Sequence, residues 1–114
     1  MSQIHFLRAR PAATERLICL HSSGASPRQW QPYRATLGSR FEMLAPELIG
    51  YAGTGRWPAG MPASLDDEAR RLAPLLQRGR VHLFGHSYGA VVALQIALRW
   101  PDRRGPLAAL RLAA

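Results

Sequence analysis

The stretch Gly85-His86-Ser87-Tyr88-Gly89 constrains the fold of this chain more than any other. It stands between an apolar run, Val81 to Phe84, and a longer one, Ala90 to Trp100. A G-x-S-x-G pattern alone is short and recurs by chance. Between a strand and a helix it has a geometric meaning. The chain must turn from one to the other so tightly that the serine is held in strained backbone, with its hydroxyl projecting above the sheet. Glycines at both ends leave room where a Cβ would clash. The helix that follows aims its N-terminal amides at the serine, where they favour developing negative charge. Ser87 is therefore the candidate nucleophile, and Gly85 and Gly89 are the glycines that permit the turn.

The remaining pattern supplies the sheet and helices that such a turn needs. Gln3 to Arg8 fits a short strand, Pro11 to Glu15 a turn, and Leu17 to Leu20 a strand buried on both faces. Ser26-Pro27-Arg28-Gln29 opens a helix: Ser26 caps it, Pro27 suits the first helical position, and Gln29 completes a capping box. Trp30, Tyr33 and Leu37 share one face of that helix, and Gly38 stops it. Phe41 to Ala45 reads as a second buried strand, ended by Pro46. Pro46 to Ala63 holds four glycines and three prolines and reads as loop. Ser64-Leu65-Asp66-Asp67 starts another capped helix, with Leu65, Ala69, Leu72 and Leu76 at helical spacing and Gly79 at its end. Arg80 to Phe84 is the third strand, and Ala90 to Trp100, apolar nearly all round, predicts a helix buried in the domain's middle. Leu107 to Leu112 fits either a strand or the start of a helix. Strands alternating with helices predict an α/β fold, a parallel sheet with flanking helices.

At 114 residues and 47% hydrophobic, the chain has material for one domain with a core. The net charge of +8 comes entirely from arginine, since all 15 basic residues are Arg. They are scattered from Arg8 to Arg111 in runs no longer than two, so they do not form the footprint of a nucleic-acid partner. Cys19 is a single cysteine in an apolar run, which excludes an internal disulfide. No apolar stretch suits a signal peptide or a membrane span, so no membrane partner is expected and the expected location is cytoplasmic.

From about Arg16 to Asp102 the chain resembles the α/β-hydrolase fold superfamily, serine esterase-like, in its N-terminal half. The resemblance rests on the elbow, on the loop His21-Ser22-Ser23-Gly24-Ala25 after the first buried strand, and on Ala45 to Gly55. In that family a His-Gly-x turn supplies one amide to an oxyanion hole. Here Ser22 replaces the usual glycine, His21 is implied as a structural residue of the loop, and Ser23 stands at the donor position. Tyr88, just after the nucleophile, is implied as the second donor. In the later loop Glu47 stands where Asp is common, and Tyr51 and Trp57 either line an acyl pocket or pack on the domain. The resemblance implies hydrolysis of an ester or related acyl bond of a small molecule, with no metal or cofactor.

A serine hydroxyl is a poor nucleophile until a base takes its proton, and this superfamily orders its triad as serine, acid, histidine. After Ser87 the chain has one acidic residue, Asp102, and no histidine. His5, His21, His82 and His86 all precede the nucleophile and read as structural, so neither a triad acid nor a triad histidine is assigned. Composition also shifts at Arg103, where Arg104-Gly105-Pro106 interrupts and residues 103–114 read as an aberrant tail. The expectation is one partial domain, truncated or frameshifted. The elbow strand would then lie at or near an open sheet edge that invites self-association. The rival expectation is a non-catalytic remnant or binding module.

Overall fold

The computed structural model describes residues 6–9, 15–48, 64–76, 80–100 and 107–113. Strands β1 (Phe6–Ala9), β2 (Glu15–Leu20), β3 (Glu42–Pro46), β4 (Arg80–His86) and β5 (Leu107–Ala113) form one sheet in the order β1-β3-β2-β4-β5. β2 pairs in parallel with both β3 and β4, and β4 with β5, while β1 runs antiparallel along β3. A 3-10 helix, Pro27–Tyr33, leads into the single turn α1 (Arg34–Leu37). Helices α2 (Leu65–Leu72) and α3 (Tyr88–Arg99) complete the order.

Side-chain alternation in β2 explains why its Leu17–Leu20 stretch is apolar without a break. Ile18 and Leu20 join Leu44, Val81 and Leu83 in a core under α2 and α3, with Ala69, Leu72, Val92, Ala93 and Ile96. Leu17 and Cys19 face the other way, joining Met43, Ala45 and Trp30 under the 3-10 helix. Both faces of the strand are therefore removed from water, which a parallel strand between two layers requires.

Two prolines set the helix types. Ser26 accepts from the Arg28 amide at 3.2 Å and Pro27 occupies the first turn, as the sequence predicts. The segment nonetheless winds as a 3-10 helix, because Pro32 lacks an amide hydrogen and its ring crowds the carbonyl four residues back. Pro74 coincides with the same change after α2, where Ala73–Leu76 tightens to 3-10. Ser64 caps α2, accepting from the Asp67 amide at 3.0 Å. Gln29 does not close a capping box; its side chain is engaged elsewhere, as described below.

One expectation is narrowed and another corrected. β4 lies near the end of the sheet but not at it, because Leu107–Ala113 pairs along it from Val81 to His86 as the last strand in the order, with one register shift between Val81 and His82. That stretch could not be placed from its own pattern. Pairing with β4 satisfies a row of backbone groups that would otherwise stay bare. Nor is α3 buried all round: Val92, Ala93 and Ile96 are covered, whereas Val91, Leu94 and Leu98 are 45%, 43% and 66% exposed. The helix rests on the sheet, so only the face turned to the sheet and α2 is covered among the described residues.

A buried ion pair ties the layers together. Arg16 and Glu42 are register partners on β2 and β3. The Arg16 Nε and Nη2 atoms lie 2.9 and 2.8 Å from Glu42 Oε1, and Nη1 donates to the Leu75 carbonyl at 2.7 Å. Removing one partner strands a charge in the core. Arg16→Leu is expected to cost about 3 kcal/mol, and joint replacement of Arg16 and Glu42 by leucine to recover most of it. Urea midpoints of the single and double variants decide this; equal losses in both would contradict it.

Cys19 is fully buried, and burial pushes its thiol up to about 12. The reactive form is the thiolate. At pH 8 a disulfide reagent is expected to modify the native protein only as fast as it opens. Instant stoichiometric modification without denaturant would show the thiol to be accessible.

Candidate active site

Among the described residues Ser87 is the only non-glycine with positive φ, at φ 55 and ψ −112. Such backbone costs about 1–3 kcal/mol and persists only where the surroundings enforce it. Here the enforcement is visible. A Cβ on Gly85 would be driven into the backbone of Gly89 and Ala90, and a Cβ on Gly89 into the Leu20 and His21 carbonyls. The tight turn thus presses the start of α3 onto the end of β2, where Leu20 and Gly85 are register partners. Ser87 is exposed and occupies the cap position of α3, yet its side chain makes no capping hydrogen bond. Its hydroxyl is not spent on capping the helix.

The loop after β2 is held from behind. His21 is fully buried. Its Nδ1 lies 2.8 Å from the Ser22 carbonyl, and the Leu48 amide donates to its Nε2 at 2.9 Å. A carbonyl only accepts, so the ring proton sits on Nδ1 and the imidazole is neutral. Burial pushes His21 below the usual histidine range, in the same direction. With both nitrogens engaged, His21 fastens the loop to the residues beyond β3 and is not placed to take a proton from Ser87. The Ala25 amide closes a turn on the Ser22 carbonyl at 3.1 Å, and Gly24 supplies the left-handed residue of that turn, at φ 77. Ser23 is exposed at the tip.

The sequence reading missed Gln29. Its Oε1 accepts from the Ser22 amide at 3.0 Å, with the Ser22 hydroxyl at 3.4 Å, and its Nε2 lies 2.7 Å from His86 Nδ1. The local pattern around Ser26 gave no sign of a partner so distant in sequence. A second support is Arg71, which binds Glu68 at 2.9 Å and also donates to the Glu47 carbonyl. Glu68 is fully buried. The i,i+3 spacing of Glu68 and Arg71 stands in the sequence, but the reach of Arg71 to the Glu47 carbonyl is not legible there. Tyr88, the first residue of α3, is half-buried, and desolvation followed by the charge of Glu68 pushes its phenol up to about 12.

His82 lies near the opposite end of β4 from the elbow, 2.6 Å from Glu15, and so away from Ser87. Tyr51, Trp57, His5 and Asp102 lie outside the described residues. A shallow groove of about 440 Å³ is lined by Gln31, Pro32, Arg34, Ala35, Gly38 and Ser39. It includes none of the residues gathered around Ser87, so its volume carries no argument about the site. Among the described residues no cluster of His, Cys, Asp or Glu could hold a metal ion, and no helix is long and apolar enough to cross a membrane.

Comparison with known proteins agrees with the fold. Residues 17–114 match the model of a family described as the alpha/beta hydrolase family, a span that includes β5. A protein of Pantoea ananatis carrying the provisional name carbamate hydrolase RutD is 35% identical over 94 residues, covering 79% of this chain and 34% of that protein. Lipase LipV of Mycobacterium tuberculosis is 31% identical over 110 residues, covering 94% of this chain and 41% of the lipase. Among solved structures, the type II thioesterase BorB from the borrelidin biosynthetic cluster superposes with a TM-score of 0.72 at 33% identity, over 96% of this chain and 45% of that one. The chain thus spans between about a third and a half of the proteins it matches.

Proposed function

This chain belongs to the alpha/beta hydrolase family, and from that premise we propose that Ser87 is the nucleophile of a cytoplasmic hydrolase acting on an ester or related acyl bond of a small molecule. The observation that carries the reading is the backbone of Ser87: strained at φ 55, wedged between two obligatory glycines, its hydroxyl not used to cap α3. Strain of this kind is retained where it orients a reactive group.

In the proposed reaction the Ser87 hydroxyl oxygen attacks the substrate carbonyl carbon as a general base takes its proton. The resulting oxyanion is held by the backbone amides of Ser23 and Tyr88. Losing one such donor typically costs about 3–4 kcal/mol of transition-state stabilisation. Collapse expels the protonated leaving group and leaves an acyl-serine. Water, activated by the same base, then attacks the acyl carbon, releases the acid and returns the proton to Ser87. Lipid ester, thioester and carbamate, the bonds in the relatives' names, share the carbonyl carbon this sequence of steps needs. The base and its acid partner are assigned to the part of the relatives that this chain does not span. The reading asks for no metal or cofactor.

A second reading is a binding module that keeps the site without turnover. It draws on the engagement of His21, His82 and His86 by other partners. Fluorophosphonate labelling and hydrolysis of a short p-nitrophenyl ester, each beside Ser87→Ala, separate the two. Labelling and turnover that vanish in the variant support the enzyme; identical behaviour of both proteins sinks it.

A further inference from the structure

We infer that Gln29 is a positioning residue of the oxyanion hole, its carboxamide locking the loop that carries Ser23 to the elbow that carries Tyr88. The inference rests on the reading of Ser87 as nucleophile and adds to it a residue the sequence had placed in a capping box.

The orientation of the carboxamide follows from its partners. Ser22 offers an amide hydrogen at 3.0 Å, so the atom facing it must be the oxygen, and the atom facing His86 Nδ1 at 2.7 Å must be the NH2 group. Gln29 therefore donates to Nδ1, and His86 carries its proton on Nε2. One planar group thus accepts from one loop and donates to the other. It bridges residues 7 and 57 positions away, directly beside Ser23 on one side and Ser87 on the other. The Ser22 amide is spent on Gln29 and cannot turn to the substrate, which leaves the next amide, that of Ser23, as the donor from this loop. The Ser22 hydroxyl reaches the same oxygen at 3.4 Å. A serine where the family usually has glycine thereby gains a local partner in this chain.

Two backbone amides on separate loops stabilise an oxyanion only if both stay within a few tenths of an ångström of its position, and a misplacement of about 1 Å costs on the order of 100-fold. With the carboxamide removed, the loop is still fastened by His21, so partial loss is expected rather than collapse.

The experiment compares the full protein with Gln29→Ala, Gln29→Glu and Ser87→Ala, measuring fluorophosphonate labelling, p-nitrophenyl ester kinetics, thermal midpoint and the imidazole 15N shifts of His86. Gln29→Ala is expected to lower kcat and the labelling rate about 30-fold, with KM within about twofold and the midpoint nearly unchanged. Gln29→Glu is expected to restore most of the rate, since a carboxylate accepts from Ser22 and from His86 once the ring proton moves to Nδ1. The 15N shifts should report Nε2–H in the parent and Nδ1–H in Gln29→Glu. An unchanged kcat in Gln29→Ala, a parallel fall of kcat, KM dependence and midpoint, or Nδ1–H in the parent would each overturn the inference. If the parent labels and Gln29→Ala labels equally, only the role of Gln29 falls. If the parent does not label at all, the reading of Ser87 falls and takes this one with it.

Discussion

Ser87→Ala is expected to abolish fluorophosphonate labelling and to lower ester hydrolysis by about 10,000-fold or more, because removing the proposed nucleophile removes the covalent route altogether. The stability of the same position should move the other way. At φ 55 and ψ −112 any residue with a Cβ is strained, and alanine keeps that strain, so the thermal midpoint of Ser87→Ala should stay close to the parent's. Glycine relieves it. Against about 1–3 kcal/mol of strain stands the extra chain entropy that glycine loses on folding, about 0.5–1 kcal/mol. Ser87→Gly should therefore be inactive and more stable, by about 1 kcal/mol. Denaturant midpoints of the parent and both variants settle the sign. If glycine lowers the midpoint as it would in an ordinary exposed turn, the backbone at Ser87 is not a store of strain. The mechanical argument for the nucleophile then loses its support, whatever the labelling shows.

How much of this was legible in the sequence depends on the range over which each feature is decided. The apolar run Leu17–Leu20 announced a strand covered on both faces, and Phe41 to Ala45 a second one, in which the charged residue Glu42 is buried against Arg16. The elbow was legible because its glycines are required by contacts within the turn and with the adjacent strand. Pro32 and Pro74 were present to be read, yet propensity alone favoured α-helix, and the 3-10 geometry emerged only with the prolines inside the segment. The strand at Leu107–Ala113 escaped because its residues suit two conformations; its place is decided by pairing with β4, some 26 residues earlier in the register (Val81 with Leu107). Gln29 escaped for the same reason. Its position after Ser26 satisfies a local capping rule, but a partner 57 residues away offers both loops a bond at once, and the long-range geometry prevails. In this chain the residues that shape the site locally were visible, and those that join two loops were not.

Gly89→Ala is expected to be the most damaging single substitution in the fold, costing about 4 kcal/mol or more, at the upper end of what point changes do. Gly89 is buried, and its added Cβ meets the Leu20 and His21 carbonyls, which are backbone and cannot rotate aside. Relief requires α3 to lift from the end of β2. That movement opens the core between α3 and the sheet, where Val92, Ala93 and Ile96 pack on Ile18, Leu20 and Leu83. It also separates the two loops that meet at the site, since His21 and Gly89 are the points where they touch. Stability and activity should thus fail together here, whereas at Ser87 they part. The measurement is a urea titration of Gly89→Ala followed by tryptophan fluorescence, with fluorophosphonate labelling of whatever fraction is folded. A variant with the parent's midpoint would show that α3 sits farther from β2 than the glycine contacts require. A variant of lower midpoint that still labels at the parent's rate would separate the packing of the elbow from the alignment of its oxyanion donors.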